Sequence, residues 1–184
     1  MENLDDLRCE TLPGLRGIDH IGLTVPNIDD AVDFFVNVIG CEPFYELGPF
    51  QSGDDWMATQ LNVHPSAVMR RLKFLRCAYG SNIELFQYEV DGQANMPPRN
   101  SDVGGHHLAF YVNDFDKALA FLKSKGVQVL GEPVVRTAGP SGGQTWIYFL
   151  APWGLQCELV SFPQGKGYER ETDRRLWSTT NPSA

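Results

Sequence analysis

The sequence predicts an α+β fold built from two copies of one βαβββ unit, and two repeats carry that prediction. The stretch Gly17-Ile18-Asp19-His20-Ile21-Gly22-Leu23-Thr24-Val25 returns as Gly104-Gly105-His106-His107-Leu108-Ala109-Phe110-Tyr111-Val112. The unit endings repeat as well, Ile83-Glu84-Leu85-Phe86 matching Cys157-Glu158-Leu159-Val160. In register, His20 falls on His107, Val25 on Val112, Ala31 on Ala118 and Phe34 on Phe121. An internal duplication of this kind constrains the fold more tightly than local propensity does.

Residues 1–15 hold charges and a Pro-Gly turn and read as an N-terminal arm. The first unit spans residues 16–91. Its opening strand, Ile18 to Val25, alternates Ile21, Leu23 and Val25 against His20, Gly22 and Thr24. Pro26 and Asn27 end it, and Asp29 and Asp30 stand where a helix N-terminus favours negative charge. Ala31, Val32, Phe34, Phe35 and Val38 recur at helical spacing, with Gly40 as the closing residue. A short strand is expected around Phe44 and Tyr45, then a loop with a weak strand over residues 51–65. Two strands, Val68 to Ala78 and Ser81 to Val90, are joined by a turn at Tyr79-Gly80.

Residues 92–103, with Pro97 and Pro98, read as a linker. The second unit spans residues 104–162. Its first strand runs from His107 to Val112, Asn113-Asp114 caps a helix, and Gly126 ends that helix. Strands follow at Val127 to Leu130, Gln144 to Leu150 and Leu155 to Phe162, with a glycine-rich loop at residues 138–143. No Lys-Ser/Thr follows that loop, so it is not a phosphate loop; a hairpin connection and a lid are its two readings. Residues 163–184 form a polar C-terminal tail with one helical turn expected near Tyr168 to Trp177.

A net charge of −8 with a pI near 4.9 argues against a nucleic-acid surface, which needs clustered cations. Arg70, Arg71, Lys73 and Arg76 are the one basic cluster and read as an exposed strand face. No apolar run is long enough to span a bilayer, and Met1 to Asp6 has neither a basic nor an apolar signal-like run. Cys9, Cys41, Cys77 and Cys157 lack C-x-x-C spacing and are expected to be reduced, packed thiols in a cytoplasmic protein.

The repeat also places chemistry. Each unit has a histidine on its first strand and a glutamate on its last, giving His20, Glu84, His107 and Glu158. Two imidazoles and two carboxylates facing one cavity suit a divalent transition metal and leave coordination positions open. A lone strand histidine or glutamate is ordinarily a solvated residue; the duplication of the pair is what marks these four. His106 points to the opposite strand face from His107 and is read as packed or as a supporting residue, and His64 as a loop residue. Trp56, Met57, Phe86, Tyr88, Tyr111, Trp146 and Trp153 are candidates to line an apolar substrate pocket, with core packing the alternative for each.

The segments DHIGLTVPNIDDAVDFFVNVIG, NIELFQY, GGHHLAFYVNDFDKALAFLKSKG and APWGLQCELVSF resemble the vicinal oxygen chelate superfamily over about residues 16–162. That superfamily includes glyoxalase I, methylmalonyl-CoA epimerase, extradiol dioxygenases and the fosfomycin and bleomycin resistance proteins. The resemblance implies a cup-shaped mixed sheet around one divalent metal ion (zinc, nickel, cobalt, manganese or iron) held by His20, Glu84, His107 and Glu158. It also implies a homodimer acting on a small-molecule substrate, with modules paired within one chain or exchanged between two. The second glutamate ligand points to the glyoxalase and epimerase branch. The expected reaction is isomerisation, epimerisation or lyase chemistry on a small carbonyl or hydroxy-carbonyl compound through an enolate or enediolate. Glu158 is the first candidate base and Glu84 the second. A ring-cleaving dioxygenase and a non-catalytic resistance or binding protein are the alternatives. No glutamate stands clearly in register in Gln51-Ser52-Gly53-Asp54-Asp55, where the epimerases carry a second acidic base, and glutathione-contacting residues have no match.

Overall fold

A computed structural model describes residues 12–182; the start of the N-terminal arm and Cys9 lie outside the described residues. Two four-stranded mixed sheets share one topology. The first holds β1 (His20–Thr24), β2 (Glu42–Leu47), β3 (Val68–Arg76) and β4 (Asn82–Glu89), in the order β1-β4-β3-β2. The second holds β5 (Leu108–Tyr111), β6 (Gln128–Val135), β7 (Thr145–Leu150) and β8 (Gln156–Ser161), in the order β5-β8-β7-β6. In each, the first strand pairs parallel with the last, so a helix must cross over between them. That leaves β1 and β5 as edge strands.

The crossover helices start where their sequences cap them. α1 (Ile28–Phe34) begins at Asn27, whose Oδ1 accepts from the backbone N–H groups of Asp29 (2.9 Å) and Asp30 (3.2 Å). Five further residues, Phe35–Ile39, wind as a wider π-helical turn that ends at Gly40 in the left-handed region (φ 90°). The Asp114 carboxylate likewise accepts from the Lys117 N–H at 3.1 Å and starts the second-unit helix, Phe115–Ser124. The expected loop over residues 51–65 contains a short helix, α2 (Trp56–Leu61), so the longer one is α3. Asp54 accepts from the Trp56 N–H at 3.0 Å; six residues are too few to show an apolar period in the sequence. In the tail, the helical turn is a tight 3₁₀ turn over Gly167–Arg170.

The buried core is continuous across both sheets. Leu23, Val25, Ile28, Phe34, Phe35, Ile83 and Leu85 from the first unit join Leu108, Phe115, Leu119, Leu122, Phe149 and Leu159 from the second. Trp153, in the turn between β7 and β8, reaches over to Phe34 and Phe35 with ring centroids 5.8 and 5.9 Å apart. Burial alternates along β1, with Leu23 buried and His20, Gly22 and Thr24 exposed. The helices therefore cover one face, and the histidine face is left open. The basic cluster is held by carboxylates: Arg71 bonds Glu46 at 2.6 Å and Asp29 at 2.7 Å, Lys73 meets Glu46 at 3.3 Å, and Arg70 meets Glu89 at 2.5 Å. Arg76, the fourth of the cluster, donates instead to the Ala78 carbonyl at 3.2 Å; Arg70 and Arg76 are exposed as expected, whereas Arg71 and Lys73 are half-buried.

Candidate metal centre

Strand register puts the duplicated residues at matching places. Glu84 on β4 lies opposite Gly22, two residues beyond His20, and Glu158 on β8 lies opposite Ala109, two beyond His107. Residues two apart share a face, so each glutamate reaches the ring beside it. His20 Nε2 stands 3.1 Å from Glu84 Oε2, and His107 Nε2 stands 3.1 Å from Glu158 Oε2. Only small residues, Gly22 and Ala109, occupy the positions in between.

The third strand supplies an aromatic support that sequence reading missed. Phe74 is the cross-strand partner of Glu84 and Tyr148 that of Glu158. His20 meets Phe74 edge-on with centroids 5.4 Å apart at 73°, and His107 meets Tyr148 at 5.3 Å and 73°. Aligning the third strands of the two units, Leu72-Lys73-Phe74-Leu75 on Trp146-Ile147-Tyr148-Phe149, would have exposed both. Tyr45 packs on Phe74 and Trp146 on Tyr148, at 4.8 and 5.0 Å.

Each imidazole is also held from behind. His20 Nδ1 lies 2.8 Å from the Asp19 carboxylate, and His107 Nδ1 lies 3.4 Å from Asn100 Oδ1. A histidine whose second nitrogen rests on an oxygen has its other nitrogen oriented for a metal, and a carboxylate there makes it a better donor. The Asp19 contact raises the His20 pKa, burial working against it and Glu84 with it. Burial raises the pKa of Glu84, against the His20 charge. Burial raises Glu158 too, with His107 and then Lys166 pulling it back. Lys166, which also rides over the Phe162 ring at 4.3 Å, is, like Phe74 and Tyr148, a residue the sequence did not point to.

These donors, with carboxylates pulled out of water beside oriented imidazoles, fit a divalent cation. Within one chain, however, they form two pairs: among the described residues no three histidine, cysteine, aspartate or glutamate side chains gather tightly enough to hold an ion. His106 is no part of either pair. Its Nδ1 contacts the Gly104 carbonyl at 3.0 Å, and it lines a cavity of about 240 Å³ with Gly22, Thr24, Met96 and Trp153. His64 Nδ1 meets Ser66 Oγ at 2.9 Å in its loop.

The candidate pocket aromatics divide. Met57 is fully buried and Trp153 belongs to the packing between units. Phe86 stacks on Tyr88 at 5.6 Å beside Glu84, Trp146 packs at a tilt on Tyr148 beside Glu158, and Tyr111 meets Phe162, as Trp56 meets Phe50, edge-on. The glycine-rich loop is tied to the tail, Gly142 O accepting from Gly167 N–H (2.8 Å) and Pro140 O from Tyr168 N–H (3.0 Å).

Residues 19–146 match the pattern of the Glyoxalase/Bleomycin resistance protein/Dioxygenase superfamily. The chain belongs to that superfamily. Among curated proteins, it is 44% identical over 167 residues to a 2-epi-5-epi-valiolone epimerase from Actinomyces sp., covering 90% of each. A glyoxalase family protein from Bacillus cereus shares the fold at TM-score 0.61 and 20% identity, over 80% of this chain and 94% of that one. A glutamate-to-glutamine mutant of the fosfomycin resistance protein FosX from Listeria monocytogenes, solved with Mn(II), shares it at TM-score 0.55 and 20% identity, over 86% and 98%. The superfamily fold accounts for the twin sheets, and no helix among the described residues is long and apolar enough to cross a membrane.

Proposed function

We propose that the protein is a divalent-metal-dependent epimerase of a small hydroxy-ketone, with each site completed by two copies of the chain. The observation that carries the activity is the 44% identity, over nine-tenths of both chains, to an enzyme named for epimerising 2-epi-5-epi-valiolone. That substrate name denotes a ketone. A stereocentre beside a carbonyl is where a carboxylate can remove a proton and let it return on the other face, because the carbanion is delocalised onto oxygen.

The residues suit that chemistry. His20 with Glu84 and His107 with Glu158 are the ligand pairs, and the ion they hold would act as a Lewis acid toward the substrate oxygens. FosX, of the same fold, was solved with Mn(II), in keeping with one divalent ion per site here. Burial lifts both glutamates toward the pH at which a carboxylate becomes a useful base. Glu158, the more buried of the two, is the first candidate for proton removal. Glu84, brought in by the other chain of the proposed dimer, would return a proton from the opposite side, which inversion requires.

A homodimer supports the full donor set. Each chain carries both complementary pairs, and β1 and β5 are edges of their sheets. Two chains related by a twofold axis would bring the first pair of each to the second pair of its partner, giving two equivalent sites and a closed assembly.

The test is deuterium exchange. Metal-loaded protein incubated with small hydroxy-ketones in D₂O is expected to introduce one deuterium next to the carbonyl together with inversion at that carbon. Glu158→Gln should lose the exchange while keeping the fold. Tight ketone binding with no exchange at any carbon, on protein shown to contain metal, would replace the epimerase by a binding protein.

A further inference from the structure

Cys41 and Cys77 form a pair that neither the metal centre nor the proposed reaction uses. Glu42 pairs with Arg76 across β2 and β3, so one step further Cys41 stands opposite Cys77. Cys41 is buried in the core and Cys77 packs against it, half-buried, so both side chains lie on the covered face of the sheet. Opposed residues of an antiparallel pair have Cα atoms about 4.5–5.5 Å apart, inside the range of about 4.4–6.8 Å that a disulfide spans. The two thiols interact directly: the contact lowers the Cys77 pKa against its burial and raises that of Cys41. Cys157 differs, since it is fully buried, meets only the Leu155 carbonyl at 3.9 Å, and is pushed up to about 12 by burial.

We propose that Cys77 and Cys41 are a two-electron oxidation site for small hydroperoxides, with Cys77 the attacking thiol and Cys41 the resolving one. The Cys77 sulfur attacks the outer oxygen of the peroxide. The O–O bond breaks, an alcohol or water leaves with the thiol proton, and a sulfenic acid forms on Cys77. Cys41 Sγ then attacks that sulfur, the S–O bond breaks, and the hydroxyl leaves as water with the Cys41 proton. Two thiols are oxidised to one disulfide and one hydroperoxide is reduced. Accessibility sets the order, because the oxidant can reach half-buried Cys77 but not Cys41. The product is a cross-strand disulfide fastening the start of β2 to the end of β3, which encloses the segment carrying α2.

The full chain is treated with hydrogen peroxide, unfolded, alkylated, and mapped under non-reducing conditions. Free thiols should fall from four to two per chain, dithiothreitol should restore them, and one peptide pair should join Cys41 to Cys77. Cys41→Ala should trap a dimedone adduct on Cys77, whereas Cys77→Ala should leave Cys41 reduced. Consumption of Cys9 or Cys157 ahead of this pair would overturn the assignment, as would a Cys77→Ala variant that loses thiols as fast as the parent. Neither result would bear on metal binding, which the same samples report separately by elemental analysis.

Discussion

The two half-sites have one geometry and different electrostatics. Both place a histidine Nε2 3.1 Å from a glutamate, over an aromatic ring met edge-on. Behind His20, however, stands the Asp19 carboxylate at 2.8 Å, and behind His107 only the Asn100 amide at 3.4 Å. Beside Glu158 lies the cation Lys166; among the described residues, His20 is the one cation that acts on Glu84. The first half is thus the more negative and has the stronger imidazole donor, and the second holds the more buried carboxylate. The halves share a scaffold and differ in charge; under the proposed reaction the first would grip the ion and the second would move the proton.

The largest effect should come from separating the halves. A chain carrying His20→Ala with Glu84→Ala keeps only the second pair, and one carrying His107→Ala with Glu158→Ala keeps only the first. Each alone should hold no metal above background by elemental analysis, since two donors from one pair leave the ion half-coordinated. Mixed, reassembled and isolated as mixed dimers, they should recover metal at about half the wild-type stoichiometry, because one of the two sites in a mixed dimer regains all four donors. No recovery in verified mixed dimers would mean that the pairs meet within one chain.

Next in size is the support behind the imidazoles. Asp19→Asn removes a carboxylate from His20 and should weaken metal affinity by roughly 10–100-fold, the usual range for such supporting residues. Asn100→Ala removes a long, neutral contact and should cost well under that. Competition with a chelator measures both, and equal losses would erase the distinction between the halves.

A third comparison concerns stability without metal. Burial raises the pKa of Glu84 and Glu158 above 4.5, so the folded chain binds these protons more tightly than the unfolded one. The sign follows: between about pH 4.5 and the raised folded values, metal-free stability falls as pH rises, and above them the whole desolvation cost is felt. Glu158→Gln should therefore raise the unfolding midpoint of the metal-free protein by about 2–4 °C near neutral pH and flatten its slope. Glu84→Gln should do so less. Glu46 and Glu89, lowered chiefly by Arg71 and Arg70, act in the opposite sense at lower pH, where their contributions vanish as pH falls through their depressed values. A Glu158→Gln midpoint below wild type would contradict the cost assigned to that buried charge.

Much of this was legible because the chain repeats. Periodicity and caps located β1, α1 and α3, and the duplicated His and Glu were visible as residues. The pairing of each histidine with its glutamate was inferable only through the parallel register of first and last strands, which no local pattern encodes. Phe74 and Tyr148 escaped notice because an aromatic on a strand face looks like any other until its cross-strand partner is known. α2 was missed for shortness, and Lys166 because the tail has no counterpart in the first unit. Met57, a candidate for a pocket, went to the core, whereas Trp153 serves both, packing on Phe34 and Phe35 and lining the cavity beside His106.

The smallest expected effect tests the equivalence itself. Gly22 sits where the second half has Ala109, and both lie opposite a glutamate. A Cβ on Gly22 would stand 3.5 Å from the Phe86 ring and 3.9 Å from Glu84 Oε2, ordinary contact distances, and Gly22 is outside the glycines with positive φ. Gly22→Ala should therefore fit without displacing Glu84. Losing glycine's freedom in the unfolded chain should stabilise the protein by about 0.4–1 kcal/mol. Metal stoichiometry should be unchanged, since a methyl group at this position already lies beside Glu158. A drop in metal content with Gly22→Ala would show that the first half needs a closer approach than the second, and that the halves differ in shape as well as in charge.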